Sequence, residues 1–310
     1  MENSMTANTS RRAFLALACA PAALLAACGS GTIESALKPT RLLSVGDGFS
    51  DLGQGGSRYT VNVTDGSVTV WTEQMASSYG LPLKAKAAGG TSFAQGGARI
   101  NTDVAGGIPS IAAQITTLLA PGVGVGTIGI NDVFLVSGGI SDVVAEVTAH
   151  GISDQTTANV KAAGHALGAQ VRRLVAAGAQ YVVVAGLYNL GLSPWAANLS
   201  KATEITTLSN DFNIAFLTDV VDLGANVLYV DTAYYFNLVH GSPSSYGLNG
   251  DISSKTYVAC ATPDASTCTP STIVSGVDYT KALFADDLYF TPVANRLFGT
   301  SAYNKLRTRW

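Results

Sequence analysis

Charge is scarce in this chain. Of its 310 residues only 13% are Asp, Glu, Lys or Arg, and the formal net charge is −3. No Lys/Arg run occurs, which argues against the basic patch that a nucleic-acid surface needs. Histidine is rarer still, with three copies at His150, His165 and His240, and there are four cysteines. Long apolar runs are also missing after the first residues. The stretch over residues 13–27 is too short and too rich in small residues for a stable membrane span. There is no internal repeat and no linker to a second domain. Glycine, by contrast, is abundant, at 33 residues.

The first residues read as a targeting segment. Ser10-Arg11-Arg12-Ala13-Phe14-Leu15 has the twin-arginine look, and the apolar stretch behind it ends in Leu25-Ala26-Ala27-Cys28. That ending resembles the lipoprotein cleavage box, with an ordinary signal peptide cut nearby as the alternative. On the first reading, residues 1–27 are a signal peptide, Cys28 carries lipid, and residues 28–40 are a tether. Residues 41–310 are then the folded domain. The expected location is exported and membrane-anchored, at the outer membrane or the periplasmic face, with Gly29 after the cysteine favouring the outer membrane. An export signal implies an oxidising compartment, so Cys260 and Cys268 are expected to form a disulfide closing a short loop. The competing metal reading fails for want of a nearby His or further Cys.

The organising stretch is Gly46-Asp47-Gly48-Phe49-Ser50-Asp51-Leu52-Gly53, behind the short apolar strand Arg41-Leu42-Leu43-Ser44-Val45. Open α/β sheets present reacting groups on such a turn, at the carboxyl end of a strand. Read alone, the stretch is equally a surface turn. Three further stretches follow in order. Ala94-Gln95-Gly96-Gly97-Ala98 is a small-residue loop. Gly129-Ile130-Asn131-Asp132 follows an apolar, Gly-spaced run over residues 123–130 that reads as a strand. Asp286-Asp287-Leu288-Tyr289-Phe290-Thr291-Pro292 precedes a helical run beginning at Val293. Elsewhere apolar periodicity predicts helices over 108–119, 156–178 and 201–223, and buried strands over 180–187 and 226–231. Residues 67–79 read as strand passing into helix. Helices alternating with apolar strands give the fold class: α/β, a doubly wound, mostly parallel sheet flanked by helices in three layers.

In this order the four blocks resemble the GDSL, or SGNH, family of serine ester hydrolases. That family reads G-D-S-L-S-D near the start, then a Gly-containing block, then G-x-N-D, and D-x-x-H near the end. The resemblance covers nearly all of the chain after the leader. It implies an oxyanion donor at Gly96, with Gly97 as the alternative, a second donor at Asn131, and a triad acid at Asp286. The reading of Asn131 as an Asx-type cap stands beside the oxyanion role.

The departures are as informative as the match. The family's nucleophilic Ser is Gly48 here, and its His base is Tyr289, followed by Phe290 instead of Pro. A Gly forms no acyl-enzyme, and a Tyr with a pKa near 10 is a poor base at neutral pH. Ser50 reads as a cap rather than a substitute nucleophile. A carboxylate pair, Asp47 with Asp51, is a weaker substitute. No cofactor is called for.

Three functions follow. The first is a lipoprotein on a hydrolase scaffold that binds a small-molecule ester, acyl or sugar-ester ligand without turning it over. The second is an active carboxylic-ester hydrolase, esterase or lipase, with altered residues. The third is an envelope interaction protein whose cleft has closed. An open cleft between Gly48, Gly96, Asn131 and Asp286 favours the first two, and a cleft filled by Tyr289 and Phe290 favours the third. The insert over residues 241–280 is long, irregular and unassigned.

Overall fold

A computed structural model describes residues 35–250 and 257–310. The expected signal peptide, the expected lipidation site at Cys28 and the start of the expected tether lie outside the described residues. The end of the expected tether is already part of the body, since the Thr40 N–H donates to the Asn131 carbonyl.

Four parallel strands form the sheet in the order β1-β2-β3-β4. They are β1 (Arg41–Val45), β2 (Asp132–Val136), β3 (Tyr181–Ala185) and β4 (Val227–Val230). β1 pairs in register with β2, from Arg41 opposite Asp132 to Val45 opposite Val136. Their interior residues are buried β-branched and aliphatic side chains, as both faces of a parallel sheet require. On its free edge β1 makes a further parallel bridge, Ser44 to Ser92, with the Ser44 N–H donating to Thr91 O and the Phe93 N–H to Ser44 O. The chain thus leaves β1 for one side and returns on the other to lay down β2. That reversal makes the sheet doubly wound and puts the topological switch point beside β1, where such sheets have their crevice.

The helices are α1 (Trp71–Ser78), α2 (Ile111–Leu119), α3 (Ile140–His150), α4 (Asp154–Ala176), α5 (Pro194–Asn198), α6 (Ala202–Val220), α7 (Thr232–Gly241) and α8 (Pro292–Leu306). α4 packs against α2, α3 and α6, while α8 packs against α1 and α7. Side-chain caps fix several starts: Ser110 for α2, Ser153 for α4, Asp231 for α7 and Thr291, before Pro292, for α8. The α4–α6 contact is close because Gly164 and Gly168 lie on it. A Cβ on Gly164 would stand 2.4 Å from the Phe212 carbonyl oxygen, and one on Gly168 would stand 2.6 Å from Asp219 Cβ.

Two expected strands are corrected, and residues 67–70 are the first: they run into α1 without forming one. Residues 123–130 are not a strand: they form an irregular, largely exposed loop, and the strand begins at Asp132. The run Val133-Phe134-Leu135-Val136 is uninterrupted, whereas Gly124, Gly126 and Gly129 break up the β-branched residues of 123–130. Helix α3, directly behind it, was not foreseen. The Cys260–Cys268 disulfide is present, with Cα atoms 5.8 Å apart.

Candidate functional site

The turn after β1 is built from glycine and one amide. Gln114 of α2 grips Gly46, its Oε1 accepting the Gly46 N–H at 2.8 Å and its Nε2 donating to the Gly46 carbonyl at 2.9 Å. Gly46 itself must be glycine because a Cβ there would lie 2.5 Å from Ser137 Oγ. Asp47 is fully buried and accepts the backbone N–H groups of Phe49 and Ile140. Burial pushes its carboxyl up to about 7, with nearby Asp142 adding to the effect. Beside it is a void of about 10 Å³ bounded by Ser137, Ile140, Gly186 and Tyr188, room for about one water.

Gly48 is buried beneath the ring of Tyr289. A Cβ at residue 48 would lie 2.7 Å from two ring carbons and 2.8 Å from the hydroxyl oxygen. Tyr289 is 8% exposed, and burial holds its hydroxyl well above the usual phenol range, so it is no base at neutral pH. Gly96 stands in the same relation to a second tyrosine. A Cβ there would fall 1.7 Å from a ring carbon of Tyr59. The two rings meet with centroids 4.9 Å apart. Gly48 and Gly96 are thus each covered by a tyrosine ring, and the two rings are in contact.

The donors are engaged as well. The Gly96 N–H, expected to serve an oxyanion, donates to Asp51 Oδ2 at 2.8 Å, and Asp51 also accepts from Gly53 and Gln54. Burial raises the Asp51 pKa, these bonds opposing it. Asp286 accepts three backbone N–H groups, from Ala265 at 2.8 Å, Leu288 at 2.8 Å and Tyr289 at 2.6 Å. Burial raises it to about 6 in spite of them. It orders its own turn and orients no base. Gly97, the alternative donor, has φ +78° and sits beyond Gly96 in that loop.

Asn131 is not brought to this site. It precedes β2, at the amino end of the sheet, next to Thr40 at the start of β1. The turn at residues 46–48 lies at the opposite, carboxyl end. What stands there after β2 is Ser137-Gly138-Gly139-Ile140-Ser141-Asp142. Gly139-Ile140-Ser141-Asp142 has the G-x-N-D spacing with Ser for Asn, and its Ile140 N–H caps Asp47. The signal that would have found it is the apolar run Val133-Phe134-Leu135-Val136 before it, which no glycine interrupts. Asp142 accepts the Ile100 N–H and pairs with Arg99, and burial still raises it to about 6.

Two serines missed as a pair lie under the turn. Ser50 Oγ and Ser137 Oγ are 2.7 Å apart, and the Trp71 indole N–H donates to Ser50 Oγ at 2.9 Å. No helix begins after Ser50, so it is not a helix cap, and at 0% exposed it is not an accessible nucleophile. Phe290 does not plug the cleft. It lies in the core among Phe49, Tyr188, Phe284 and Phe298. His165 faces Asp219 on the surface. His240 is lowered by burial, beside Phe236 and Tyr257. Among the described residues no His/Cys/Asp/Glu group has the arrangement of a metal site.

No family model matches the chain. It is 28% identical over 134 residues to Esterase EstA of Pseudomonas aeruginosa, a match covering 43% of this chain and 20% of that protein. It is 27% identical over 155 residues to an uncharacterized protein in the trpE-trpG intergenic region of Pseudomonas putida, covering 49% of this chain and 26% of that one. The matched segments thus span about a quarter or less of those curated relatives. Among solved structures, Est24, a carbohydrate acetylesterase from Sinorhizobium meliloti, aligns with TM-score 0.46 at 10% identity, over 86% of this chain and 98% of that one. The M. smegmatis aryl esterase aligns with TM-score 0.45 at 14% identity, over 87% and 99%. Phospholipase A1 from Streptomyces albidoflavus aligns with TM-score 0.46 at 14% identity, over 86% and 98%. The chain resembles the GDSL, or SGNH, ester hydrolases, on a parallel α/β scaffold and with esterase similarity in part of its sequence.

Proposed function

We propose that this chain is a catalytically silent protein on an ester-hydrolase scaffold, exported and lipid-anchored through Cys28. The observation that carries the reading is the Tyr289 ring lying in the space of a side chain at residue 48. A Ser hydrolase needs a nucleophile, a base and free donors for the developing oxyanion. Residue 48 offers no oxygen, Tyr289 is a phenol held protonated, and the Gly96 N–H is already bonded to Asp51. An acyl or sugar-ester group enters this cleft only by displacing Tyr59 and Tyr289, so ligand binding and cleft opening are one event. The function then rests on binding in the envelope rather than on turnover.

The test is hydrolysis of p-nitrophenyl acetate and butyrate by the purified wild-type chain. Turnover at the buffer rate supports the reading. Turnover well above it, unchanged when Tyr59 and Tyr289 are both replaced by Phe, refutes it and points to a nucleophile elsewhere. Membrane fractionation of Cys28→Ala checks the anchor: release of the protein, or an unprocessed precursor, is expected, and unchanged fractionation and mass count against it.

A further inference from the structure

The disulfide loop touches both tyrosine-bearing segments. Cys260 and Cys268 close it, and both are buried, at 5% and 0% exposed. Inside it, the Ala265 N–H donates to Asp286 Oδ2 at 2.8 Å, while Asp286 Oδ1 accepts the N–H of Leu288 and of Tyr289. On the same side the Cys260 N–H donates to Ala285 O at 2.8 Å, and the Ala285 N–H donates to Tyr289 O at 2.7 Å. On the other side the Cys268 carbonyl accepts the Asn62 N–H at 2.8 Å and Asn62 Nδ2 at 3.2 Å. Asn62 Nδ2 also ties back to Arg58 O and Thr60 O, so it holds the residues on either side of Tyr59. Tyr59 precedes Asn62 by three residues, and Tyr289 follows Asp286 by three. One nine-residue loop thus grips the two strips whose rings meet over Gly48 and Gly96.

We propose that the Cys260–Cys268 loop is the clamp that holds the tyrosine plug shut, so that cleaving the disulfide unseats Tyr59 and Tyr289 together and uncovers Gly48 and Gly96. The inference rests on the closed-cleft reading above. The physical argument is one of shared order. Ala265 N–H and Cys268 C=O bind their partners only while the loop keeps its compact turn, Ala265–Thr267. The cross-link limits the conformations open to the loop. Without it the loop samples many, and the bonds to Asp286 and Asn62 are lost for part of the time, so that the turn over 286–290 is left to its bonds from Trp195, Asn198, Tyr188 and Thr60 and opens locally more often. Asp286 then loses one of its three donors and Asn62 loses its carbonyl anchor. A dithiol cleaves the bridge by exchange: it passes two electrons and two protons to the Cys260–Cys268 S–S bond, leaving two protein thiols, and itself closes to a cyclic disulfide.

The test is amide hydrogen exchange on the oxidised protein, on the same protein reduced with dithiothreitol under native conditions, and on Cys260→Ser/Cys268→Ser. With the bridge broken, the amides of Asn62, Leu288, Tyr289 and Gly96 are expected to exchange about tenfold faster or more. Val182, Val183 and Val184 of β3 should keep their protection. Acceleration confined to residues 260–268, with Asn62, Leu288 and Tyr289 still protected, overturns the clamp. If the double variant fails to fold, the β3 amides lose protection too, and the reduced wild-type protein decides. Asn62→Ala, with the bridge intact, should speed exchange around Tyr59 and leave Leu288 and Tyr289 protected; joint loss on both sides would refute two separate grips. Should the oxidised wild-type protein already exchange freely at Gly96 and Tyr289, the closed-cleft reading itself fails, whatever the disulfide does.

Discussion

The ring of Tyr289 lies against the Cα of Gly48, so that a Cβ at residue 48 would be 2.7 Å from its carbons. Tyr289 occupies the space of a side chain at residue 48, so the two departures on which the proposed silence rests are one packing event. Gly48 is the small partner that permits the ring, and the ring leaves no room for a larger residue.

That relation predicts coupled stability. Gly48→Ser alone should destabilise the chain by about 1–3 kcal/mol, the usual cost of overpacking a buried site. Tyr289→His in the same chain should recover most of that loss by vacating the space. Urea denaturation of wild type, both singles and the double measures the coupling. Additive effects would mean that the ring yields freely.

Catalysis should be hard to restore for a reason the pair does not cover. Gly48→Ser/Tyr289→His supplies a nucleophile and a base, yet Asn131 lies at the other end of the sheet and the Gly96 N–H is engaged by Asp51. Adding Ser141→Asn, at the motif position behind β2, should raise ester turnover above that of the double variant by roughly 10-fold or more, as one oxyanion donor does elsewhere. Stopped assays with p-nitrophenyl butyrate on the double and triple variants decide it. No gain would place the donor elsewhere.

Ser50 should matter to stability and not to turnover. Its hydroxyl joins the Trp71 indole to Ser137 in a fully buried site. Ser50→Ala strands the indole N–H, at a cost of about 1–3 kcal/mol. Equilibrium unfolding and ester assays, run together, should show the first change and not the second.

Stability should fall as pH rises from about 4 to 7. Burial raises Asp47 to about 7 and Asp142 and Asp286 to about 6, from 3.8 in the unfolded chain. Their contribution is fully present below pH 3.8. It is lost as pH rises through the folded values, because the unfolded chain gives up those protons first. For Asp47 alone the span corresponds to about 4 kcal/mol as an upper figure. Thermal unfolding across pH 4–8 should show the slope, and Asp47→Asn, which stays neutral, should flatten it.

Much of the architecture was legible in the sequence. The strands at Arg41–Val45, Tyr181–Ala185 and Val227–Val230, and the long helices between them, carry apolar periods that local chemistry reads directly. The two nearby cysteines behind an export-like leader implied their bridge. Block order pointed to the turn at Gly48 and to Asp286 and Tyr289, and all three do meet at the carboxyl end of the sheet. The third block was misplaced because Gly129-Ile130-Asn131-Asp132 matches the motif letter by letter, while Gly139-Ile140-Ser141-Asp142 does not. A motif has no direction in space. Only the pairing of β1 with β2, Val45 opposite Val136, decides which end of the strand faces the cleft. The sequence alone determined that residues 48 and 289 are Gly and Tyr, the identities from which an absent nucleophile and base are proposed. That Tyr289 and Tyr59 close over Gly48 and Gly96, and that Asp51 and Asp286 have turned inward to bind backbone, was decided by tertiary packing. Such contacts join residues up to 241 positions apart, and no local pattern encodes them.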